Sequence, residues 1–472
     1  MRPTSSSFPQ TFFWGRLLPC ILTIYVLFRI SLNLYNDSPW YDEAMQIWIS
    51  FGCNPDNITK NNGVVEVIKL NQLFNHDPGG FSLLLHLWLK ISHDMQWIRL
   101  LPLLFFMGSV FVVFLTIQSL FKDKLISFIC SLIPFLFDTL LYFSTEIRAY
   151  SMECLCYSFA ILSICTMHDK KNLGKLHCFS LALCFLMTSR YSAMIGSYLS
   201  MFVITLGWLI HNKSKPVVKA SFMIVPYVIF TVLIYFFSLS LQNPSVKTPS
   251  YVDLSPQIDI LHIIIFLTSP CCLFFFARSS DRRLFFVSLY VTLLNFSFLS
   301  LALFEIHPAD IRSKYCIGLL WGNLVFFVLL LAKLLSSINH HYFSTITLGA
   351  VGIGIFLQHN SLSIRAGQDF FDTEKLCKLS GKKIYVDRTL SPTVKYLMTF
   401  GEARKWKSSE KNNISFQKQI HHTLGADSQF LESGKLENPE WSGYDVLIVS
   451  DPIINENGSI WKKNSNYIYL RN

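Results

Sequence analysis

Apolar runs of about 20 residues recur through the first 358 residues and constrain this chain more than any other feature. A helix needs about 20 mostly apolar residues to cross the hydrocarbon core of a bilayer. Only helices and closed barrels satisfy their backbone hydrogen bonds inside lipid, so each run predicts a spanning helix. We predict about eleven such helices, at 14–35, 97–120, 125–143, 149–167, 176–190, 192–210, 221–241, 258–277, 284–304, 315–335 and 342–358.

The composition supports a polytopic membrane protein. Hydrophobic residues make up 51% of the chain and charged residues 15%, whereas soluble proteins carry about 25% charged residues. The net charge of +10 is spread thinly along the chain, which excludes a nucleic-acid binder driven by phosphate contacts. Charge is densest after Asn360, where 16 Lys/Arg and 13 Asp/Glu lie.

Two domains are expected from this uneven distribution: an α-helical transmembrane domain at 1–358, with an outer loop at 35–96, and a soluble domain at 359–472. The second contains short β-like runs and one helix-like run, which predict a small α/β domain. These runs are Lys383–Asp387, Val394–Phe400, Tyr444–Ser450 and Tyr467–Leu470.

Basic loops set the predicted orientation, because Lys and Arg collect on the cytoplasmic side. A cytoplasmic N-terminus places every strongly basic short loop on one side. An odd number of spans then puts the C-terminal domain on the outer face of the membrane. This predicted orientation depends on the basic clusters at Lys122, Lys170, Lys213, Arg282 and Lys333.

Two helices of the outer loop are predicted to lie at the membrane interface. Phe81–Ile91 is apolar but would reach only about 17 Å as a helix, too short to cross. Gly63–Phe74 has its apolar residues at helical spacing, with Glu66, Lys69 and Asn71 on the other side. An ordinary surface loop is the alternative for this second segment.

Acidic residues next to predicted spans need a reason, because charge at a membrane boundary is costly unless solvated or used. Asp42 and Glu43 follow the first span, and adjacent carboxylates suit a general base or a divalent cation site. Helix capping by Asp42 is the alternative. His76 and Asp77, in the run NHDPGG, are further candidates, although this run is also typical of a turn.

Two later clusters combine acids with cations. Glu146, Arg148 and Tyr150 lie between two spans, where Arg suits phosphate recognition and Glu suits a sugar hydroxyl or a metal; a local ion pair is the alternative. Arg312, Lys314 and Tyr315 place cations on the side that the positive-inside rule disfavours, which indicates an anionic ligand. Arg190 and Tyr191, by contrast, are interpreted as interfacial anchors.

The motifs YDEA, NHDPGGFSLLLHLWLKI, WIRLLPLLF, STEIRAYSM and IRSKY occur in this order over roughly Trp14 to Leu335. In this they resemble GT-C membrane glycosyltransferases. The resemblance is to the branch that holds protein O-mannosyltransferases, the aminoarabinose transferase of lipid A and the RgtA/B/C/D-like transferases. The family implies a polyprenyl-phosphate sugar donor and an inverting transfer on the periplasmic or outer side.

The resemblance also implies individual functions. Asp42 would be the general base, supported by Glu43. Glu146 and Arg148 would engage the donor phosphate or a metal, with Arg312, Lys314 and Tyr315 on the departing phosphate. His76, Asp77 and Tyr150 would support donor, acceptor or metal. The family usually has HxPPLYY and ExRPY where this chain has HDPGGF and EIRAY.

Several points stay open at the level of sequence. The acceptor is a lipid, a polysaccharide or a protein, and membrane lipids are the expected surroundings. A divalent cation at Asp42 and Glu146 is left open as a cofactor. The alternative functions are a transporter or flippase of lipid-linked glycans and a glycan polymerase or ligase. A transporter would carry charged residues at mid-span in several helices, which this sequence nearly lacks.

Overall fold

The structure is a computed structural model, and its described part is mostly helical. It describes residues 8–34, 38–54, 63–75, 77–167, 173–211, 216–238, 260–278, 282–304, 306, 314–337, 376, 378–379, 382–386, 390–400, 414–416, 445–448, 461–465 and 468–471.

The helices come first along the chain, and the strands lie near its end. The helices are α1 (Phe8–Leu34), α2 (Tyr41–Ser50), α3 (Val64–Phe74), α4 (Gly80–Leu89), α5 (Met95–Phe121), α6 (Lys124–Leu132), α7 (Asp138–Thr145), α8 (Tyr150–Thr166), α9 (Leu173–Leu186), α10 (Tyr191–His211), α11 (Pro216–Phe237), α12 (Ile260–Ala277), α13 (Arg282–Leu303), α14 (Ile317–Ser337) and α15 (Ser391–Thr399).

Four of the described helices are long and apolar enough to cross a membrane, namely α5, α10, α13 and α14. The number rises to five if the bent pair formed by α6 and α7 counts as one span. These helices are compatible with an integral membrane protein. Shorter apolar helices occupy other predicted spans, such as Tyr150–Thr166 and Ile263–Ala277. The predicted span at 342–358 lies outside the described residues.

The predicted span at 125–143 corresponds to a bent pair of helices rather than to one continuous helix. A 3-10 helix, Ile133–Leu136, follows α6, and Phe137 then adopts an extended conformation before α7 begins. The two arms meet at 83°. Pro134 lies at the start of the 3-10 helix, and its missing N–H and its effect on the preceding residue disfavour a continuous α-helix.

The bent pair nevertheless runs from one end of the bundle to the other. Arg99, in the first turns of α5, and Ile147, just after α7, both contact Glu43. Lys122, at the far end of α5, is about 34 Å from Arg99 along the helix axis. The chain therefore leaves the Glu43 end through α5 and returns to it through α6 and α7.

Other connections meet at the same two ends. At the Glu43 end, Arg190, which precedes α10, binds Glu153 in α8, and a Cβ on Gly318 of α14 would touch the Glu153 carboxylate. At the opposite end, Arg283 donates to the Ser119 carbonyl, and the Lys333 ammonium lies 6.0 Å from the Phe121 ring. Lys122, Arg283 and Lys333 thus lie at the end away from Glu43, whereas the arginines at the Glu43 end are paired inside the protein.

The expected outer-loop helices are confirmed as helices, although their placement at a membrane interface stays a prediction. The predicted Gly63–Phe74 and Phe81–Ile91 correspond to α3 and α4. One detail of α3 is wrong: Asn71 was expected on the polar side and is instead 2% exposed, because it takes part in a hydrogen-bond network with α2 and α4.

Five short strands form one sheet in the order β2-β1-β3-β5-β4. Strand β1 pairs in parallel with β2 and with the central strand β3, whereas β5 pairs antiparallel with β3 and β4. Three strands and α15 fall on predicted runs, and β2 and β4 were not anticipated. The predicted domain boundary at 358 lies outside the described residues. The strands are β1 (Ile384–Val386), β2 (Ile414–Phe416), β3 (Val446–Ile448), β4 (Trp461–Ser465) and β5 (Ile468–Arg471).

The helix α15 packs against α2 and the segment between α4 and α5. The Trp48 indole donates to the Pro392 carbonyl at 3.0 Å, and the Tyr396 hydroxyl donates to the His93 carbonyl at 2.7 Å. The Phe51 and Phe400 rings stack with their centroids 4.9 Å apart. The far end of α2 is thereby fastened to the C-terminal part of the chain.

Candidate active site

The site begins at the first turn of α2. Trp40 is extended at the N-cap, and the Glu43 carboxylate accepts the Trp40 N–H at 3.4 Å. Acidic residues in a first helical turn also interact favourably with the helix dipole. Successive helical residues point about 100° apart, so Asp42 and Glu43 enter different surroundings: Asp42 is half-buried, and Glu43 is fully buried.

Glu43 is held by three elements. Its Oε2 atom lies 2.9 Å from the Arg99 Nη2 atom, and both side chains are 0% exposed. Its Oε1 atom accepts the Ile147 backbone N–H at 3.2 Å, and Arg99 also donates to the Ser38 carbonyl. This ion pair fixes α2, α5 and the segment after α7 to one another, a geometry suited to the supporting function expected of Glu43.

Arg148 lies close to the acids. Its Nη1 atom donates to the Asn75 Oδ1 atom at 2.9 Å. Burial by itself would lower the pKa of Arg148, but the charges of Asp42, Asp77 and Glu146 outweigh burial and raise the pKa. The guanidinium therefore stays charged, and three carboxylates lie near enough to interact with it.

A network of neutral side chains holds Asn75, the hydrogen-bond acceptor of Arg148, in place. Asn75 donates to the Gln46 side-chain oxygen at 2.8 Å and to the Asn71 side-chain oxygen at 3.2 Å. Ser82 donates to Asn71 at 2.6 Å, and Gln46 donates to Ser82 at 2.8 Å. The network joins α2, α3 and α4, so three short helices together orient one cation.

Sequence reasoning missed Gln46, Asn71 and Ser82 as parts of the site. Gln46 and Ser82 each lie within a largely apolar helix and are 2% exposed. Buried polar side chains are normally hydrogen-bonded, so polar residues inside an apolar helical pattern were the available signal. The sequence alone does not tell which of them meet.

Arg190 corrects another expectation. It was interpreted as an interfacial anchor, yet it is 8% exposed and its Nη1 atom lies 2.9 Å from the Glu153 Oε2 atom. Its guanidinium carbon lies 4.9 Å from the centre of the Tyr150 ring. Arg190 therefore belongs to the interior of this end of the bundle.

Most of the predicted site residues meet at this end. Asp42, Glu43, Glu146, Arg148 and Tyr150 lie there, and Glu146 is 0% exposed and Tyr150 2% exposed.

The structure places the other five predicted residues apart from these or only in part. Asp77 lies 3.7 Å from Arg190, and half-buried Tyr315 precedes α14. His76, Arg312 and the side chain of Lys314 lie outside the described residues.

Metal binding was left open at the level of sequence. Within the described part of the chain, no group of three or more His, Cys, Asp or Glu side chains is placed to hold a metal ion. Asp42 and Glu146 therefore do not form such a group with a third described ligand, and His76 lies outside that part.

No family model matches this chain, and no curated protein matches it.

Proposed function

We propose that this protein is an integral membrane glycosyltransferase that moves a sugar from a polyprenyl-phosphate donor to an acceptor hydroxyl with inversion. The observation that carries the proposal is that half-buried Asp42 and half-buried Arg148 are the sequence neighbours of Glu43 and Ile147, which are hydrogen-bonded to each other. A proton acceptor and a phosphate-binding cation are the two groups that this reaction needs at close range. Asp42 has the exposure that a base requires, whereas its neighbour Glu43 is enclosed.

The proposed reaction is a single displacement. Asp42 takes the proton of the acceptor hydroxyl while the oxygen attacks the anomeric carbon from the face opposite the phosphate. The bond from that carbon to the phosphate oxygen breaks, and the phosphate leaves with the electron pair. Arg148 stabilises the charge of the leaving phosphate. This leaving group is a weak base, so the reaction needs no strong general acid.

The remaining candidates surround these two groups in the proposal. Half-buried Asp77 offers oxygen atoms to sugar hydroxyls, and His76 belongs to the same segment of the chain. Glu146 and Tyr150, which are buried, support the site from inside the bundle. On the donor side, Arg312, Lys314 and Tyr315 hold the phosphate together with Arg148. Glu43 keeps α2 in place. A divalent cation is left open in this scheme.

The proposed setting is a bacterial inner membrane crossed about eleven times. The N-terminus is cytoplasmic, and the Glu43 end of the bundle and the C-terminal α/β domain face outwards. The collection of Lys122, Arg283 and Lys333 at the opposite end supports this orientation, because basic residues favour the cytoplasmic side. The acceptor is a lipid, a polysaccharide or a protein on the outer face.

Mass spectrometry of membrane glycolipids and surface glycans, with and without the gene, tests the proposal and names the product. The gene is then restored as wild type, as Asp42→Asn or as Asp94→Asn. Asp94 is a matched control, because it is an exposed acid next to a helix start in the same outer connection, with no side-chain capping bond. We expect wild type and Asp94→Asn to restore the product and Asp42→Asn to fail at equal protein level. Full restoration by Asp42→Asn would refute the assigned base.

A further inference from the structure

Gly80, at the start of α4, packs against the turn that joins α9 to α10. The Gly80 backbone N–H donates to the Thr188 carbonyl at 3.0 Å. A Cβ on Gly80 would lie 2.9 Å from that same carbonyl oxygen, so the two backbones are in direct contact. The turn therefore packs directly against the start of α4, three residues after Asp77.

Arg190, at the end of this turn, reaches Asp77 directly. Its Nε atom lies 3.7 Å from the Asp77 Oδ1 atom, and its Nη1 atom lies 2.9 Å from the Glu153 Oε2 atom. Glu153 is 0% exposed and comes from α8. Arg190 thus joins a buried acid of the bundle to an acid of the outer loop, with the Tyr150 ring beside its guanidinium.

The backbone of Asp77 is held as well. Its carbonyl accepts from the Asn71 amide at 2.7 Å and from the Ser238 hydroxyl at 3.4 Å. Ser238 follows α11, and its hydroxyl lies 2.7 Å from the Tyr191 hydroxyl. Contacts from Asn71 in α3, from Arg190 before α10 and from Ser238 after α11 therefore converge on one loop residue.

Arg148 and Arg190 differ in their direct partners. Arg148 donates to the neutral Asn75 amide, whereas Arg190 lies within ion-pair distance of two carboxylates. Arg190 thus has the contacts of a residue that holds other side chains in place.

We propose that Arg190 is a positioning residue of the site, which holds the Asp77 carboxylate beside Arg148 through its pairing with Glu153. This rests on the proposed transferase function, in which Asp77 contacts substrate hydroxyls. A displacement of about 1 Å at a reacting group can cost about 100-fold in rate. Loss of Arg190 therefore lowers transfer without removing any group that touches the substrate.

The first test measures the anchoring without any chemistry. Hydrogen exchange of the purified full chain is followed in detergent for wild type, Arg190→Gln and Arg29→Gln. Arg29 is a matched control, since it is also buried and paired with an acid, Asp138. We expect faster exchange across Asn75–Gly80 in Arg190→Gln only. Unchanged exchange there, or an equal change in both variants, overturns the proposal.

The second test is a double-mutant cycle on transfer, measured as kcat/KM with the donor that the product identifies. If Arg190 acts through Asp77, Arg190→Gln lowers kcat/KM by about 10-fold to 100-fold but adds little to Asp77→Asn. Arg190→Lys restores part of the activity and covers the case in which Arg190→Gln does not fold. Losses that multiply in full overturn the proposal, because they describe independent sites.

Failure of the proposed function gives a separate result. If wild-type protein transfers no sugar from any polyprenyl-phosphate donor, the transferase function is wrong, and the exchange experiment still decides whether Arg190 anchors the segment. If wild type is active and Arg190→Gln keeps its full kcat/KM, the positioning role is wrong and the transferase stands.

Discussion

Asp42 and Glu43 are neighbours in sequence but belong to two contrasting regions. The closed region consists of Glu43, Arg99 and the Ile147 backbone, and both of its charged side chains are 0% exposed. The open region consists of Asp42, Asn75, Asp77 and Arg148, all of them half-buried. One step along a helix thus separates a carboxylate that holds elements together from one that a substrate can reach. Each of the following substitutions tests that division, in order of its expected effect on stability.

The largest effect is expected for Glu43→Gln in the closed region. It leaves the buried Arg99 without its carboxylate, and breaking one partner of a buried ion pair costs about 3–5 kcal/mol. Thermal unfolding of purified protein in detergent measures the loss. The double variant Glu43→Gln/Arg99→Met removes both charges and should recover much of the stability. A single variant as stable as wild type would mean that the closed region is not a support.

Gly80→Ala is expected to cost about 1–3 kcal/mol, the range for overpacking in a close-packed site. The new Cβ would lie 2.8 Å from the Thr188 Cβ and 2.9 Å from its carbonyl oxygen. Gly63→Ala is the control, because nothing lies within 4 Å of a Cβ at that helix start. Equal unfolding temperatures for the two variants would show that the segment before α4 moves freely, contrary to an open region of fixed geometry.

Asn75→Ala is expected to cost about 1 kcal/mol, the usual contribution of a hydrogen bond. It removes the acceptor of Arg148 and the donor to Gln46. Because it also releases the cation, we expect transfer to fall by about tenfold. Comparison of unfolding temperature and transfer rate in the same preparation checks both effects. Wild-type transfer would show that Asn75 does not orient Arg148.

Asp42→Asn is expected to change stability least, by no more than about 0.5 kcal/mol, as is usual for exposed or half-exposed positions. Its effect on transfer should be the greatest of the four, since it removes the proposed base. Unfolding temperature and product yield together separate the two quantities. If Asp42→Asn proved as unstable as Glu43→Gln, the two regions would be one.

The elements that were predicted well have local signals. The long spans on α5, α10, α13 and α14 are marked by apolar runs, and α3 and α4 by helical spacing and length. Short β-branched runs marked β1, β3 and β5. In each of these elements, the pattern of apolar residues within the element itself determines its type.

The features that were missed depend on contacts between distant segments. The break at Phe137 combines a proline with the packing of two arms. Glu43 and Arg99 are separated by 56 positions, and Arg148 and Asn75 by 73. The predicted topology placed the motifs that contain these four residues on one side of the membrane. Tertiary packing determines that Glu43 is the buried acid and that Arg190 points into the bundle. No local sequence pattern contains this information.

The grip of α15 on the far end of α2 has a mechanical consequence. Phe51 stacks on Phe400, and the Trp48 indole is tied to Pro392, while Asp42 lies near the opposite end of this ten-residue helix. Ten residues span about 15 Å, and the other end of α2 is held next to Asp42 by the Glu43–Arg99 ion pair. A helix that is held at both ends does not tilt about either one, so the C-terminal part of the chain contributes to the fixed position of the Asp42 carboxylate.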